Sequence, residues 1–184
     1  MRADGSIQGL VAWHAVRRNI AGSPYIDRGL GGLGPGLAAG ADLSIGRLTL
    51  DVEHSRSLIR VTQTGRLAGG TSTGSLSDPL FTFLGGVAFP SGTRESLTLS
   101  AGVSVVAAQP EQDGTPVPEW DGNSRTTRSV GVTTGFRYSR DGAGRLGWTI
   151  TGRYSHLPRS DAAASLGVSA HVIRVGAGVR FRLR

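Results

Sequence analysis

The chain contains no lysine and no cysteine, few aromatic residues and no long apolar run. Without cysteine there is neither a disulfide framework nor a thiolate metal site. The uninterrupted apolar stretches are a few residues long, far short of the ~20 that a membrane-spanning helix needs. All 20 basic residues are arginine, and the net charge is +7. A GC-rich genome is the plainest source of that bias. The arginines are scattered singly through strand-like segments and no aromatic-basic motif accompanies them, so nucleic acid is not expected as a partner. The opening residues Met1-Arg2-Ala3-Asp4-Gly5 have no apolar core of the kind an export signal carries. With the pattern below, that points to a mature sequence whose signal has been removed.

What the chain has in excess is glycine, 29 of 184 residues, about one in six against a typical ~7%. No G-X-Y period runs through it, which excludes collagen. Many glycines lie inside apolar, β-branched segments, where each would cost a helix roughly 1 kcal/mol. In strands they mark close backbone approach or bends at barrel corners.

Period-2 alternation begins cleanly at Leu37, with Leu37, Ala39, Ala41, Leu43 and Ile45 on one face. Gly46-Arg47 makes a turn, and Leu48, Leu50 and Val52 then alternate with Thr49, Asp51 and Glu53. The same hairpin recurs twice. Phe81 to Phe89 and Leu97 to Val105 flank Pro90-Ser91-Gly92. Val130 to Tyr138 and Leu146 to Tyr154 flank Asp141-Gly142, a strong hairpin signal. A last regular segment sets Ile173, Val175, Ala177, Val179, Phe181 and Leu183 against Arg174, Gly176, Gly178, Arg180 and Arg182. The first strand, about Ile7 to Val16, has the weakest parity; Val11 and Trp13 are placed outward.

Short connections at 46–47, 90–95 and 140–145 alternate strictly with longer ones near 18–34, 60–78, 109–126 and 158–167. Three connections at one end and four at the other are what eight up-and-down strands require. The expected fold is all-β: an eight-stranded antiparallel transmembrane β-barrel spanning residues 1–184 as one domain.

Alternation alone also fits a soluble lipocalin-like barrel, which has the opposite polarity. Three features favour lipid outside. The polar face carries Asp42, Asp51, Glu53, Arg137, Arg153, Arg174 and Arg180 at mid-strand positions. An eight-stranded interior is only wide enough to be filled by side chains, so these charges are expected to pair across the lumen, with at least one arginine meeting Glu53. Next, Phe89, Phe136, Tyr138, Trp148 and Phe181 lie on the apolar face toward the short turns, as a sparse aromatic girdle would. Finally, the outward mid-strand positions are almost free of charge.

In pattern, nearly the whole chain resembles the small outer-membrane β-barrel proteins of the OmpA/OmpX-like kind. The most specific stretch is His171-Val172-Ile173-Arg174-Val175-Gly176-Ala177-Gly178-Val179-Arg180-Phe181. Members of that family typically end on an aromatic residue preceded by alternating apolar positions, a signal read by the barrel-assembly machinery. Here Arg182-Leu183-Arg184 follows the aromatic, a departure in register. Gly152-Arg153-Tyr154-Ser155-His156-Leu157 resembles the penultimate strand of such barrels. The resemblance implies a bacterial outer-membrane location, contact with outer-membrane lipid and lipopolysaccharide, handling by the assembly machinery, and a monomer.

Few residues invite chemistry, and neither an enzyme nor a cofactor is expected. His14, His54, His156 and His171 lack metal-ligand spacing, although His156 and His171 stand on neighbouring strands near the outer rim. Some barrels of this size deacylate lipid through a histidine and a serine two residues apart. After His156, that serine position is filled by Pro158. The glycine run Gly29 to Gly36 has no following lysine and enters a strand, so it is not a phosphate-binding loop. Arg56, Arg60, Arg66, Arg125, Arg128 and Arg159 lie toward the long-loop rim, the level of lipopolysaccharide phosphates, which guanidinium groups bind bidentately. Solvated loop charge is their plainer use. The function expected is non-enzymatic: structural, adhesive or interaction work by the long loops. The rivals are a narrow pore, a lipid-modifying enzyme and a soluble ligand-binding barrel.

Overall fold

The computed structural model describes residues 1–15, 32–64, 71–112, 115–116, 127–142, 144–158 and 170–183, with side chains described at 1–15, 32–58, 79–106, 129–142, 144–158 and 170–183. Its elements are β1 (Arg2–His14), β2 (Gly32–Ile45), β3 (Leu48–Thr64), β4 (Thr71–Pro90), β5 (Glu95–Gln112), the two-residue β6 (Thr115–Pro116), β7 (Thr127–Asp141), β8 (Leu146–His156) and β9 (His171–Arg182). Every pairing is antiparallel. The order β4-β3-β2-β1-β9-β8-β7-β5 closes through a β4–β5 pairing, so eight strands form a complete barrel with no edge. β6 pairs only with the outer end of β5.

The register fixes how the strands lean. One row of paired residues runs Ala12, Arg174, Arg153, Gly135, Ser100, Gly86, Thr49, Ser44 and Arg2. It leaves β1 at residue 12 and returns to β1 at residue 2, so the shear is ten. An eight-stranded barrel of shear eight tilts its strands by ~36°; shear ten tilts them more steeply. Residues well separated in number on opposite walls are thereby brought to one level.

Alternation sends one side chain in and the next out along each strand. On β1 the inward set is Asp4, Ser6, Gln8, Leu10, Ala12 and His14, while Ile7, Val11 and Trp13 are exposed outside, so Val11 and Trp13 do face outward. Around the wall Leu37, Leu50, Val52, Phe83, Leu99, Val103, Val132, Ile150, Val175 and Val179 are exposed. The apolar surface is therefore outside and the polar residues are inside, reversing the order of a water-soluble fold.

The three short turns hold a positive-φ glycine each, Gly46 (φ 61), Gly92 (φ 101) and Gly144 (φ 82), a conformation in which a Cβ is strained. Their bounds are 46–47, 91–94 and 142–145. The second and third are tighter than the sequence pattern indicates, because Pro90, Glu95, Arg140 and Asp141 still pair. The outer ends differ more. The stretch expected as a loop at 60–78 is mostly strand: β3 and β4 pair up to Thr64 and Thr71. β5 continues to Gln112, and β2 begins at Gly32, inside the glycine run. β1 also starts earlier than Ile7, at Arg2, and ends at His14.

Candidate functional site

The lumen holds the residues with the densest chemistry, and the tilt decides who meets whom. Asp51 of β3 receives Arg137 Nη1 and Arg153 Nη2, each at 2.9 Å from its Oδ2. Glu53, two residues further out on β3, faces Arg153 and Arg174, each at 3.5 Å. Asp42 of β2 meets Arg137 and Arg180, each at 3.1 Å. Arg180 also reaches Asp4 at 2.7 Å, and Arg2 joins Asp4 at 2.7 Å to Asp141 at 2.6 Å. Arg182 completes the series on Asp141 at 3.0 Å.

These contacts run end to end as a ladder: Arg174, Glu53, Arg153, Asp51, Arg137, Asp42, Arg180, Asp4, Arg2, Asp141, Arg182. The seven charged residues singled out in the sequence stand in one network, and Glu53 has two arginine neighbours. Asp4, Arg2, Asp141 and Arg182 extend it. Asp4 is missed when the first strand is begun at Ile7, though the polar alternation Asp4, Ser6, Gln8 marks it. Among the described residues the buried ions are four carboxylates (Asp4, Asp42, Asp51, Glu53) and four guanidinium groups (Arg137, Arg153, Arg174, Arg180). Among the described residues these buried charges balance, and pairing of this kind is what lets charges survive removal from water.

Above the ladder, toward the long-loop end, hydroxyl groups circle the wall. Thr82 and Ser104 are 2.8 Å apart, Ser104 and Thr133 2.6 Å, and Thr133 and Ser155 2.7 Å. Arg174 donates to Ser55 and, more distantly, to Ser155 and Thr82. One step further out, Leu80, Val106, Leu157 and Val172 stand two residues beyond Thr82, Ser104, Ser155 and Arg174, each at most 2% exposed. They share this end with buried polar residues: His14 pairs with Val172 and Ser129 with Val106. Nothing in the alternation announces these four, since they set apolar residues on the otherwise polar face. Among the described residues the interior passes from a mostly charged lower half, through hydroxyl groups, to an outer end where Leu80, Val106, Leu157 and Val172 mix with His14 and Ser129.

Outside, Phe89, Phe136 and Trp148 are exposed, while Tyr138 and Phe181 are half-buried. Tyr138 donates to Glu95 at 2.7 Å and lies 5.4 Å from the Trp148 ring. Phe136 and Phe181 have a second use. Each is paired directly with a glycine, Gly152 and Gly5, and its ring fills the space where that glycine's Cβ would be. This covering of a strand glycine by a cross-strand aromatic places Phe136 above the level of the turns.

His156 and His171 are a direct cross-strand pair with ring centroids 4.9 Å apart, and Tyr154 Oη lies 2.8 Å from His171 Nδ1. Ser155 points the other way, into the hydroxyl belt, so it offers no nucleophile to these histidines. Among the described residues no group of three or more His, Asp or Glu is placed to hold a metal ion. Of the arginines expected at the outer rim, Arg56 is exposed on the outward face of β3. Arg60 and Arg128 lie in β3 and β7 with side chains outside the described set, and Arg66, Arg125 and Arg159 lie outside the described residues.

No protein-family model matches the chain, and no curated protein matches it in sequence. Solved structures do match in shape. Neisserial surface protein A superposes with a TM-score of 0.58 at 16% identity, over 97% of each chain. The outer-membrane protein OprG from Pseudomonas aeruginosa gives 0.64 at 11% identity, over 100% of this chain and 97% of that one. Ail, the attachment invasion locus protein of Yersinia pestis, solved with the heparin analogue sucrose octasulfate, gives 0.54 at 14% identity, over 98% and 100%. The closed eight-stranded barrel and these matches agree: the chain has the fold of the small eight-stranded outer-membrane β-barrels.

Proposed function

We propose that the chain is a bacterial outer-membrane barrel with a sealed interior, whose outer loops and rim do structural, adhesive or interaction work. One observation carries this reading: among the described residues the buried charges balance and the inward side chains are buried, while the apolar wall faces outward. Such a body is a plug in a membrane, and activity is left to its outer end. Similarity to a surface protein and to an attachment protein supports an adhesive role at the level of fold. Arg56, with Arg60, Arg66, Arg125, Arg128 and Arg159 further along the outer segments, supplies guanidinium groups for lipopolysaccharide phosphate. The chain acts as a monomer and reaches the membrane through the barrel-assembly machinery.

Two experiments test this. Unboiled protein in detergent should migrate differently on a gel from boiled protein, because a closed hydrogen-bonded wall in an apolar medium resists detergent until heated. In planar bilayers the folded protein should give no steady conductance. Co-migration of the two samples, with solubility in plain buffer, would remove the membrane reading; regular single-channel steps would replace the sealed barrel with a pore. Sidedness follows separately. A cysteine at Gly69 should react with an impermeant maleimide on intact cells, and one at Ser91 should not. Labelling at position 91 alone means that the barrel is inserted the other way up.

A further inference from the structure

All three short turns end on an arginine. Arg47 precedes Leu48 of β3, Arg94 precedes Glu95 of β5, and Arg145 precedes Leu146 of β8. All three are held by the same device. The carbonyl of Arg47 accepts the N–H of Ala88 at 2.7 Å, that of Arg94 the N–H of Asp141 at 2.8 Å, and that of Arg145 the N–H of Arg182 at 2.8 Å. The fourth junction at this end, between β1 and β9, carries Arg2 and Arg182. Alternate junctions of an eight-stranded barrel are about a quarter-turn apart, so arginine recurs on every side of the rim.

These side chains differ in what they meet. Arg2 and Arg182 share Asp141, and Arg140 reaches Glu95 at 3.6 Å. Arg47, Arg94 and Arg145 are exposed and form no ion pair among the described residues. Among the described residues six arginines therefore stand at this rim against Glu95 and Asp141, with the buried Asp4 also pairing with Arg2. Directly above them the wall turns apolar, with Ile45, Leu48, Phe89, Leu97 and Leu146 exposed. The uncompensated guanidinium groups thus sit where an apolar membrane core would give way to headgroups.

We infer that the short-turn rim binds anionic phospholipid headgroups, selecting lipids with net negative phosphodiesters over zwitterionic ones. The inference rests on the membrane-barrel reading. Guanidinium binds phosphate bidentately, and cations near an anionic lipid surface gain from its potential. The distribution decides between lipid and a protein or polymer partner. Such a partner would dock on one side, whereas only a lipid annulus touches all four stations at once.

The test uses Trp148, exposed on the outer face of β8 two residues beyond Leu146, in full-length protein with Trp13 and Trp120 changed to Phe. The protein is folded into vesicles containing brominated phosphatidylglycerol or brominated phosphatidylcholine, whose acyl bromines quench on contact. With the arginines intact, phosphatidylglycerol should be preferred about fivefold, and the preference should collapse near 1 M salt, where the Debye length is ~3 Å. Arg145→Gln should remove most of the preference seen at Trp148, and the triple change Arg47→Gln, Arg94→Gln, Arg145→Gln should bring it to about one. Heat-modifiable migration identifies the folded variants. Equal quenching by both lipids, or a preference that survives the triple change, overturns the rim inference and leaves the barrel reading standing. Absence of quenching by either lipid overturns the membrane reading itself.

Discussion

Asp51→Asn destabilises the barrel by about 3–5 kcal/mol, the cost of leaving a buried ion without its partner. Its Oδ2 holds Arg137 and Arg153 at 2.9 Å each, and all three side chains are at most 8% exposed. Asparagine keeps the shape and one carbonyl oxygen but tips the balanced buried charges toward cationic, with two guanidinium groups facing each other. Glu53→Gln should cost less. Its two contacts are longer, at 3.5 Å, and Arg174 keeps the hydroxyl partners Ser55, Thr82 and Ser155. Removing charge of both signs, as in Asp51→Asn with Arg153→Met, should recover part of the loss, because a buried pair is costly to break and much less costly to replace whole. Reversible urea unfolding in lipid vesicles measures all three. If Asp51→Asn lies within the ~0.5 kcal/mol of an ordinary surface substitution, the ladder does not hold the interior together.

Legibility in the sequence followed what is local. Strict alternation from Leu37 to Glu53 and from Val130 to Tyr154 marks strands, and the turn at Gly46-Arg47 sits where its residues put it. Outer strand ends were hidden by composition. Gly32 to Gly36 pair fully with His14 to Leu10, but glycine keeps backbone hydrogen bonds while erasing the side-chain signal that would mark them. Serine, threonine and glycine in 60–78 read as loop for the same reason, although β3 and β4 pair through most of that stretch. The charged residues of the lumen could be named from their parity, but not their partners. Whether Asp51 meets Arg137 or Arg180 depends on a shear of ten around the whole ring, a closure property no segment carries. The inward placement of Leu80, Val106, Leu157 and Val172 was invisible because it contradicts the alternation. That Arg47, Arg94 and Arg145 are equivalent shows only in the repeated carbonyl hydrogen bond.

Val52→Arg is expected to cost about 2–4 kcal/mol, the penalty of a cation on the lipid face of a barrel near mid-depth. Val52 lies between Asp51 and Glu53 in sequence and on the opposite face in space, 47% exposed and paired with Ala41 and Phe83. An arginine there cannot reach the ladder, because its Cβ leaves the other side of the sheet. A one-residue slip of β3 would carry it inside but would also move Asp51 and Glu53 into lipid, so no cheap rearrangement relieves it. Depth supplies the control. Leu48→Arg, on the same face of the same strand beside the turn, lets the guanidinium reach headgroups and should cost roughly 0–1 kcal/mol. The two substitutions are chemically identical, so their difference measures the surroundings of the wall alone. In a water-soluble barrel both positions would already be solvated, and both replacements would be tolerated equally. Equal small costs at positions 48 and 52, in vesicles that still distinguish Asp51→Asn, would mean the apolar wall does not face lipid.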